Sequence, residues 1–315
     1  MQSKFDPYEH LNVALNKDGT LTRHRKLPQS PATGESAVGH AVLSKDVTLN
    51  ADKKTWMRIY RPAKLQVPGP KLPIIIYFHP GSWIQMSIAD TLLHDNCNRI
   101  SAEVSAVLVA VEFRLAPEHR LPAQYDDALD AVAWVRDQAG AGAGDKWIKD
   151  IGDVRRCYLY GVSCGANIAY NAALRLAEMR PPAVRLAGTI LNQPFFGGKK
   201  RTKSELKLAA DPFFPLPVQD LFWELALPVG ADRDHRFCNP FVEAAGREKV
   251  RNLGRCLVIG FGGDPLIDRQ QEFVQKLVER GVQVEGRFDD VGFHGIDMTQ
   301  NKWANAILNL IKEFV

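Results

Sequence analysis

From about residue 44 onward, apolar residues fall into short blocks that alternate between two periods. "VTLN" (47–50) and "TWMRIYRP" (55–62) interleave apolar and polar positions, which predicts two short strands with one wet face each. "LPIIIYFH" (72–79) and "AVLVAVEF" (106–113) are unbroken apolar runs, too short for core helices, so they predict strands buried on both faces. Residues 92–103 and "YDDALDAVAWVRDQ" (125–138) carry apolar positions at helical spacing, and "CYLYG" (157–161) ends a third buried strand. The alternation continues with a helix over 165–179, strands over 186–192 and 256–261, a helix over 269–280, a strand over 282–288 and a terminal helix over 301–314.

Strand and helix in alternation, with strands apolar on both faces, predict an α/β protein: a mostly parallel sheet with helices on both sides. The two alternating strands at the start make it a mixed sheet. Two segments break the alternation. Residues 1–40 are polar, and 195–250 contain "DPFFPLPVQDLFWELALPVGADRDHRFCNP", where aromatics sit among prolines. Such residues make poor solvent-exposed loops, so the two segments are expected to form a joint cap over one edge of the sheet. The alanine-glycine stretch 139–145 reads as a flexible connector.

Composition narrows the function classes. The 315 residues are 45% hydrophobic and 24% charged, which fits one globular body over 1–315 with an insertion. The formal charge is only +4, so neither nucleic acid nor an anionic membrane is indicated as a partner. The basic run "GGKKRTK" (197–203) is expected to be a solvated loop. Five cysteines, Cys97, Cys157, Cys164, Cys238 and Cys256, are scattered and lack CxxC spacing, so neither a disulfide framework nor a metal site is expected. The amino-terminal residues have no basic segment followed by a long apolar run, and a reduced, cytoplasmic setting is the expectation.

Chemistry concentrates where the strands end. In "GVSCG" (161–165), Ser163 lies between Gly161 and Gly165 at a passage from strand to helix. A sharp turn there lifts a hydroxyl clear of the backbone, and side chains two residues either way would collide. Serine is a feeble nucleophile alone and needs a base within reach. Of the eight histidines, His10, His24 and His40 lie in the polar leader, His94 and His119 in polar surroundings and His235 in a charged stretch. His294 follows a strand and sits between Gly292 and Gly295, at the same level of the sheet as Ser163. Asp264 comes straight after an apolar strand and is the expected orienting acid, whereas Asp268 falls at a helix start and reads as a cap. After "PIIIYFH", the loop "HPGSW" (79–83) can bring backbone N–H groups beside the serine.

These motifs carry a resemblance. "FDPYEHLN", "YFHPGSW", "FRLAPEHRLPAQYDDA", "GVSCGANIAYNAALR", "NQPFFGG", "LPVGADRDHRFCNP", "GDPLIDRQ" and "GFHGIDM" together resemble plant carboxylesterases of the hormone-sensitive-lipase-like branch of the α/β-hydrolases. The chain order Ser, Asp, His agrees with that fold. The resemblance implies an α/β-hydrolase fold and a serine carboxylesterase without cofactor or metal, acting on a small apolar or aromatic ester, in plants one of specialised metabolism. It implies Ser163, Asp264 and His294 as catalytic residues and the N–H groups of Gly81, Ser82 and Cys164 as oxyanion donors. The family's HGGG is here His79, Pro80, Gly81, Ser82, and proline falls where no donor is needed. The charged residues of "RLAPEHRLPAQYDD" are expected to tie the sheet edge to a helix, and Cys164 to be a buried, inert thiol. The aromatics Phe195, Phe196, Phe213, Phe214, Phe222 and Trp223 of the cap, with Trp83, fit an apolar or aromatic ligand, and cap–core packing accounts for most of them equally well; Trp83, Phe195, Phe196 and Phe222 are the ligand contacts expected. Two other classes share the scaffold: a lyase or cyclase using the same site, and a hormone receptor, which in this family lacks the histidine corresponding to His294.

Overall fold

The computed structural model describes residues 5–36, 38–65, 69–140, 142, 144–179, 184–243, 250 and 253–315. Parts of the expected cap (1–4, 37 and 244–249) and of the 139–145 connector (141 and 143) lie outside the described residues. The helices are α1 (Pro7–Leu11), α2 (Thr91–Val104), α3 (Ala123–Ala139), α4 (Cys164–Glu178), α5 (Lys203–Lys207), α6 (Leu216–Ala226), α7 (Ile267–Val278) and α8 (Asn301–Phe314). A hairpin of β1 (Val13–Leu15) and β2 (Leu21–Arg23) stands apart from the main sheet, whose strands are β3 (Val42–Asn50), β4 (Thr55–Pro62), β5 (Leu72–Phe78), β6 (Val107–Glu112), β7 (Gly152–Val162), β8 (Leu186–Asn192), β9 (Cys256–Phe261) and β10 (Val284–Asp289).

The main sheet has the order β10-β9-β8-β7-β5-β6-β4-β3. It is parallel from β10 through β6, and β4 and β3 join antiparallel at one edge. The alternation read from the sequence is therefore a mixed, mostly parallel sheet. β3 is longer than the "VTLN" segment because it begins at Val42 and pairs with nearly all of β4.

Burial follows the pleat. In β5, Ile74, Ile76 and Phe78 face a cluster containing Tyr125 of α3, Ile168 of α4 and Phe273 of α7, while Ile75 and Tyr77 face Ile100 of α2 and Ile307 and Ile311 of α8. One strand thus supplies both apolar layers, because successive side chains point to opposite faces. Among the described residues, no helix is long and apolar enough to cross a membrane.

The segment after β6 ties the layers together. Asp127 in α3 is fully buried and accepts from Arg114 Nη2 at 2.7 Å and from the Arg114 N–H at 2.9 Å. Glu118 holds Arg23 of β2 at 2.8 Å, and Arg120 donates to the carbonyls of Glu224 and Leu227, closing the end of α6. The run 197–203 is a loop that leads into α5 at Lys203; Lys199 and Lys200 are exposed, as expected, with Lys199 paired to Asp232 at the surface, whereas Arg201 is half-buried against Asp220. All five cysteines are free and buried.

Removing the Arg114 guanidinium strands a buried carboxylate. Arg114→Met is expected to lower unfolding free energy by about 3 kcal/mol, read as a shift of the urea midpoint at unchanged slope.

Candidate active site

β7 ends at Val162 and α4 begins at Cys164, so one residue makes the whole turn. Ser163 has φ 56 and ψ −117, a conformation that costs a non-glycine residue roughly 1–3 kcal/mol. Its neighbours explain the two glycines. A Cβ at Gly161 would overlap the carbonyl of Gly165, and a Cβ at Gly165 would overlap the carbonyl of Phe78. The turn is pinned by Ser163 N–H to the Asn192 carbonyl at 2.9 Å and Phe195 N–H to the Ser163 carbonyl at 3.1 Å.

The loop after β10 carries His294 over this turn. His294 Nε2 lies 2.9 Å from Ser163 Oγ, and His294 Nδ1 lies 2.9 Å from Asp264 Oδ2. Asp264 is fully buried where β9 ends, and its Oδ1 accepts the Leu266 N–H at 2.9 Å. Two glutamines complete its surroundings: Gln270 Nε2 donates to Asp264 Oδ2 at 2.9 Å and Gln193 Nε2 to the same oxygen at 3.2 Å. Gln193 also donates to the Phe293 carbonyl and accepts the Gly295 N–H, so one side chain grips the backbone on both sides of His294. Phe214 stacks on the imidazole at 4.4 Å. A hydroxyl, an imidazole and a carboxylate in series can move a proton off the hydroxyl while the carboxylate steadies the imidazolium. Asp268 is not part of this series; it accepts the Ser204 N–H at 2.8 Å and links α7 to α5 instead of capping its own helix.

The loop after β5 has a rare backbone. Gly81, Ser82 and Trp83 have consecutive φ values of 116, 52 and 63. Successive residues of this kind turn N–H groups to one side, the geometry that favours a bound negative charge. Among the described residues, the Gly81 and Ser82 N–H groups enter no backbone hydrogen bond. The Trp83 N–H donates to Cys164 Sγ at 3.3 Å, so that thiol joins the loop to the serine turn. Burial pushes the Cys164 thiol up to about 12, leaving it neutral. Pro80 is accommodated: its carbonyl accepts from His79 Nδ1 at 2.6 Å. Burial lowers the His79 pKa to about 4, so the ring is uncharged. Glu112, at the end of β6, lies 4.0 Å from His79 Nε2 and accepts the Ile88 N–H at 2.8 Å.

A cavity of ≈ 250 Å³ opens onto Ser163 and His294, with Gly81 and Ser82 on its wall. Phe222 lines it, but Trp83, Phe195 and Phe196 do not. These three are almost fully buried and pack behind the site: Trp83 on Trp223 and Phe195, and Phe196 on Phe273. Phe213 and Phe214 take the expected place at the cavity, together with His10, Leu11 and Arg25 from the amino-terminal segment. The polarity of that segment concealed its contribution, and His10 was indistinguishable from its neighbours in the leader. The roles of Gln193 and Gln270 left no trace either, although Gln193 falls inside the quoted "NQPFFGG" and Gln270 ends the quoted "GDPLIDRQ".

A family model described as the alpha/beta hydrolase fold matches residues 75–298. The chain belongs to the α/β-hydrolase family. It is 48% identical to "Probable carboxylesterase 9" of Arabidopsis thaliana, covering 99% of this chain and 97% of the relative. It is 44% identical to "3-O-acetylpapaveroxine carboxylesterase CXE2" of Papaver somniferum, covering 98% and 99%. Among solved structures, an esterase of the archaeon Pyrobaculum calidifontis superposes with a TM-score of 0.70 at 25% identity, over 86% of this chain and 84% of that one. These relatives place this hydrolase among the plant carboxylesterases, and its reaction class is carboxylic ester hydrolysis.

Glu112, held against the loop after β5, carries a pH-dependent share of the stability of this hydrolase. Burial raises its pKa from 4.5 to about 7, with nearby Asp90 adding to the rise. Between pH 4.5 and 7 the folded protein holds on Glu112 a proton that the unfolded chain has lost, so the contribution of this one group to stability is fully present below pH 4.5 and is lost as pH rises through 7. Comparing urea midpoints at pH 5 and pH 8, Glu112→Gln should gain roughly 2 kcal/mol on the wild type at the higher pH, since each pKa unit is worth about 1.4 kcal/mol.

Proposed function

We propose that the protein is a serine carboxylesterase working through a Ser163, His294, Asp264 triad and an acyl-enzyme. Ser163 Oγ attacks the ester carbonyl carbon as its proton passes to His294 Nε2. The C–O bond to the alcohol then breaks, and His294 returns the proton to the departing oxygen. Water attacks the acyl-enzyme, gives a proton to His294 and forms the acid, and that proton goes back to Oγ as the Ser163 bond breaks. Asp264 holds the imidazole tautomer and stabilises the imidazolium, steadied in turn by Gln193 and Gln270. Gly81, Ser82 and Cys164 supply the N–H groups that face the developing oxyanion, each worth on the order of 3 kcal/mol of transition-state stabilisation. Cys164 is the first residue of α4, so the amino end of the helix adds its positive field there.

The observation that carries this is the unbroken pair of 2.9 Å contacts, Ser163 Oγ to His294 Nε2 and His294 Nδ1 to Asp264 Oδ2, at the floor of a cavity. The same contacts favour turnover over a receptor that only binds, because a receptor has no use for an oriented base. The substrate class is a small, largely apolar or aromatic ester, supported by Phe213, Phe214, Phe222 and Met86 on the wall. A relative named for an acetyl ester supports a short acyl group, and specialised metabolism as the setting. No cofactor enters any step.

Short-chain para-nitrophenyl esters test the reading. Ser163→Ala should lower kcat by at least about 10⁴-fold, and Asp264→Asn, which leaves the ring in the wrong tautomer, by about 10⁴-fold at little change in KM. Turnover that survives Ser163→Ala excludes the acyl-enzyme. A product that is not an acid and alcohol pair points to elimination or cyclisation instead.

A further inference from the structure

Beyond Ser163, His294 and the loop residues Ser82 and Gln85, the polar side chains on the cavity wall come from its amino-terminal side. Leu11, Met86, Phe213, Phe214, Phe222 and Met298 make the apolar surface. Arg25 and His10 stand on the same wall, and none of the described lining residues is Asp or Glu. Arg25 is exposed and makes no ion pair among the described residues. Other arginines around the site are engaged. Arg23, two positions earlier, is bound by Glu118 and by the carbonyls of Leu21, Ile84 and Ala116. Arg120 is held by two carbonyls at the end of α6, and Arg269 is paired with Glu205.

An unpaired guanidinium at the edge of an apolar cavity leaves one charge to be answered by whatever enters. A guanidinium is always charged and offers several donors to a carboxylate, and low-dielectric walls focus its field on the cavity. A neutral ester fills the apolar wall and leaves Arg25 to water. An ester carrying an anion on a part remote from the scissile bond fills the same wall and also meets the cation.

We infer that Arg25 selects substrates: the physiological ester carries a carboxylate away from the reacting carbonyl, and Arg25 receives it at the cavity mouth. This rests on the esterase assignment above and specifies its substrate class. The anion steers encounter as well as binding, so its advantage falls with salt. Because Arg25 is exposed, its attraction is that of a partly solvated pair, worth roughly fivefold in kcat/KM.

Two matched pairs of esters test the inference, with the charge on either half: para-nitrophenyl hemiadipate against para-nitrophenyl hexanoate, and para-acetoxybenzoate against its methyl ester. The wild type should prefer the anionic member of at least one pair by roughly fivefold in low salt. The preference should vanish in Arg25→Gln and persist in Arg25→Lys. No preference in either pair, or one that survives Arg25→Gln, overturns the inference. If no ester is turned over by the wild type, the esterase assignment fails on its own. Calorimetric binding of phenylpropionate against phenylpropanamide then reads the cation without chemistry: tighter binding of the carboxylate, lost in Arg25→Gln, supports the inference, and equal binding overturns it.

Discussion

The site depends on a close approach of backbone to backbone. The turn at Ser163 brings Gly161 against the carbonyl of Gly165, and Gly165 against the carbonyl of Phe78, leaving no room for a Cβ at either place. Those contacts bring β5, β7 and α4 together at one point, so the serine, the amino end of α4 and the loop after β5 hold fixed relative positions. The strain at Ser163 persists because the surroundings over-determine it: a parallel strand on each side of β7, Asn192 and Phe195 bonded to its backbone, and Cys164 joined to Trp83. In the proposed mechanism, preorganisation of this kind lets Ser163 and the N–H donors act without rearranging as charge develops.

His294 reaches the serine from a different part of the chain, and its placement is a hydrogen-bonding problem. In the loop after β10, Phe293 and Ile296 pack against the core on either side of His294 and Gly295. Gln193 adds hydrogen bonds on both sides of His294 while also touching Asp264, so carboxylate and imidazole are oriented by one side chain. Phe214 covers the ring from the inserted segment. The base is therefore set jointly by the sheet, which provides Asp264 and Gln193, and by the inserted segment, which provides the stacking face.

Periodicity made the sheet and its helices legible, because strands buried on both faces and amphipathic helices leave opposite signatures. β8, β9 and α8 end where the pattern ends. Ser163, His294 and Asp264 were legible as candidates because each stands beside glycine or directly after an apolar run. Contacts made by unremarkable polar residues were hidden. Gln193 and Gln270 have no local pattern, and the leader that supplies His10 and Arg25 is polar throughout. The aromatics divide between the two readings their composition allows: Trp83, Phe195 and Phe196, expected at the ligand, form the packed floor beneath the site, while Phe213, Phe214 and Phe222 reach the cavity. Composition reports how much aromatic surface must be buried, whereas the choice between floor and wall belongs to tertiary packing.

Covalent labelling with a fluorophosphonate reads the proposed activation of Ser163 by His294 without any assumption about substrate. The account predicts stoichiometric modification, located at Ser163 by peptide mass spectrometry and abolished by His294→Ala in protein that remains folded. An unlabelled protein, a label on another residue, or labelling of Ser163 at the wild-type rate in His294→Ala would contradict it.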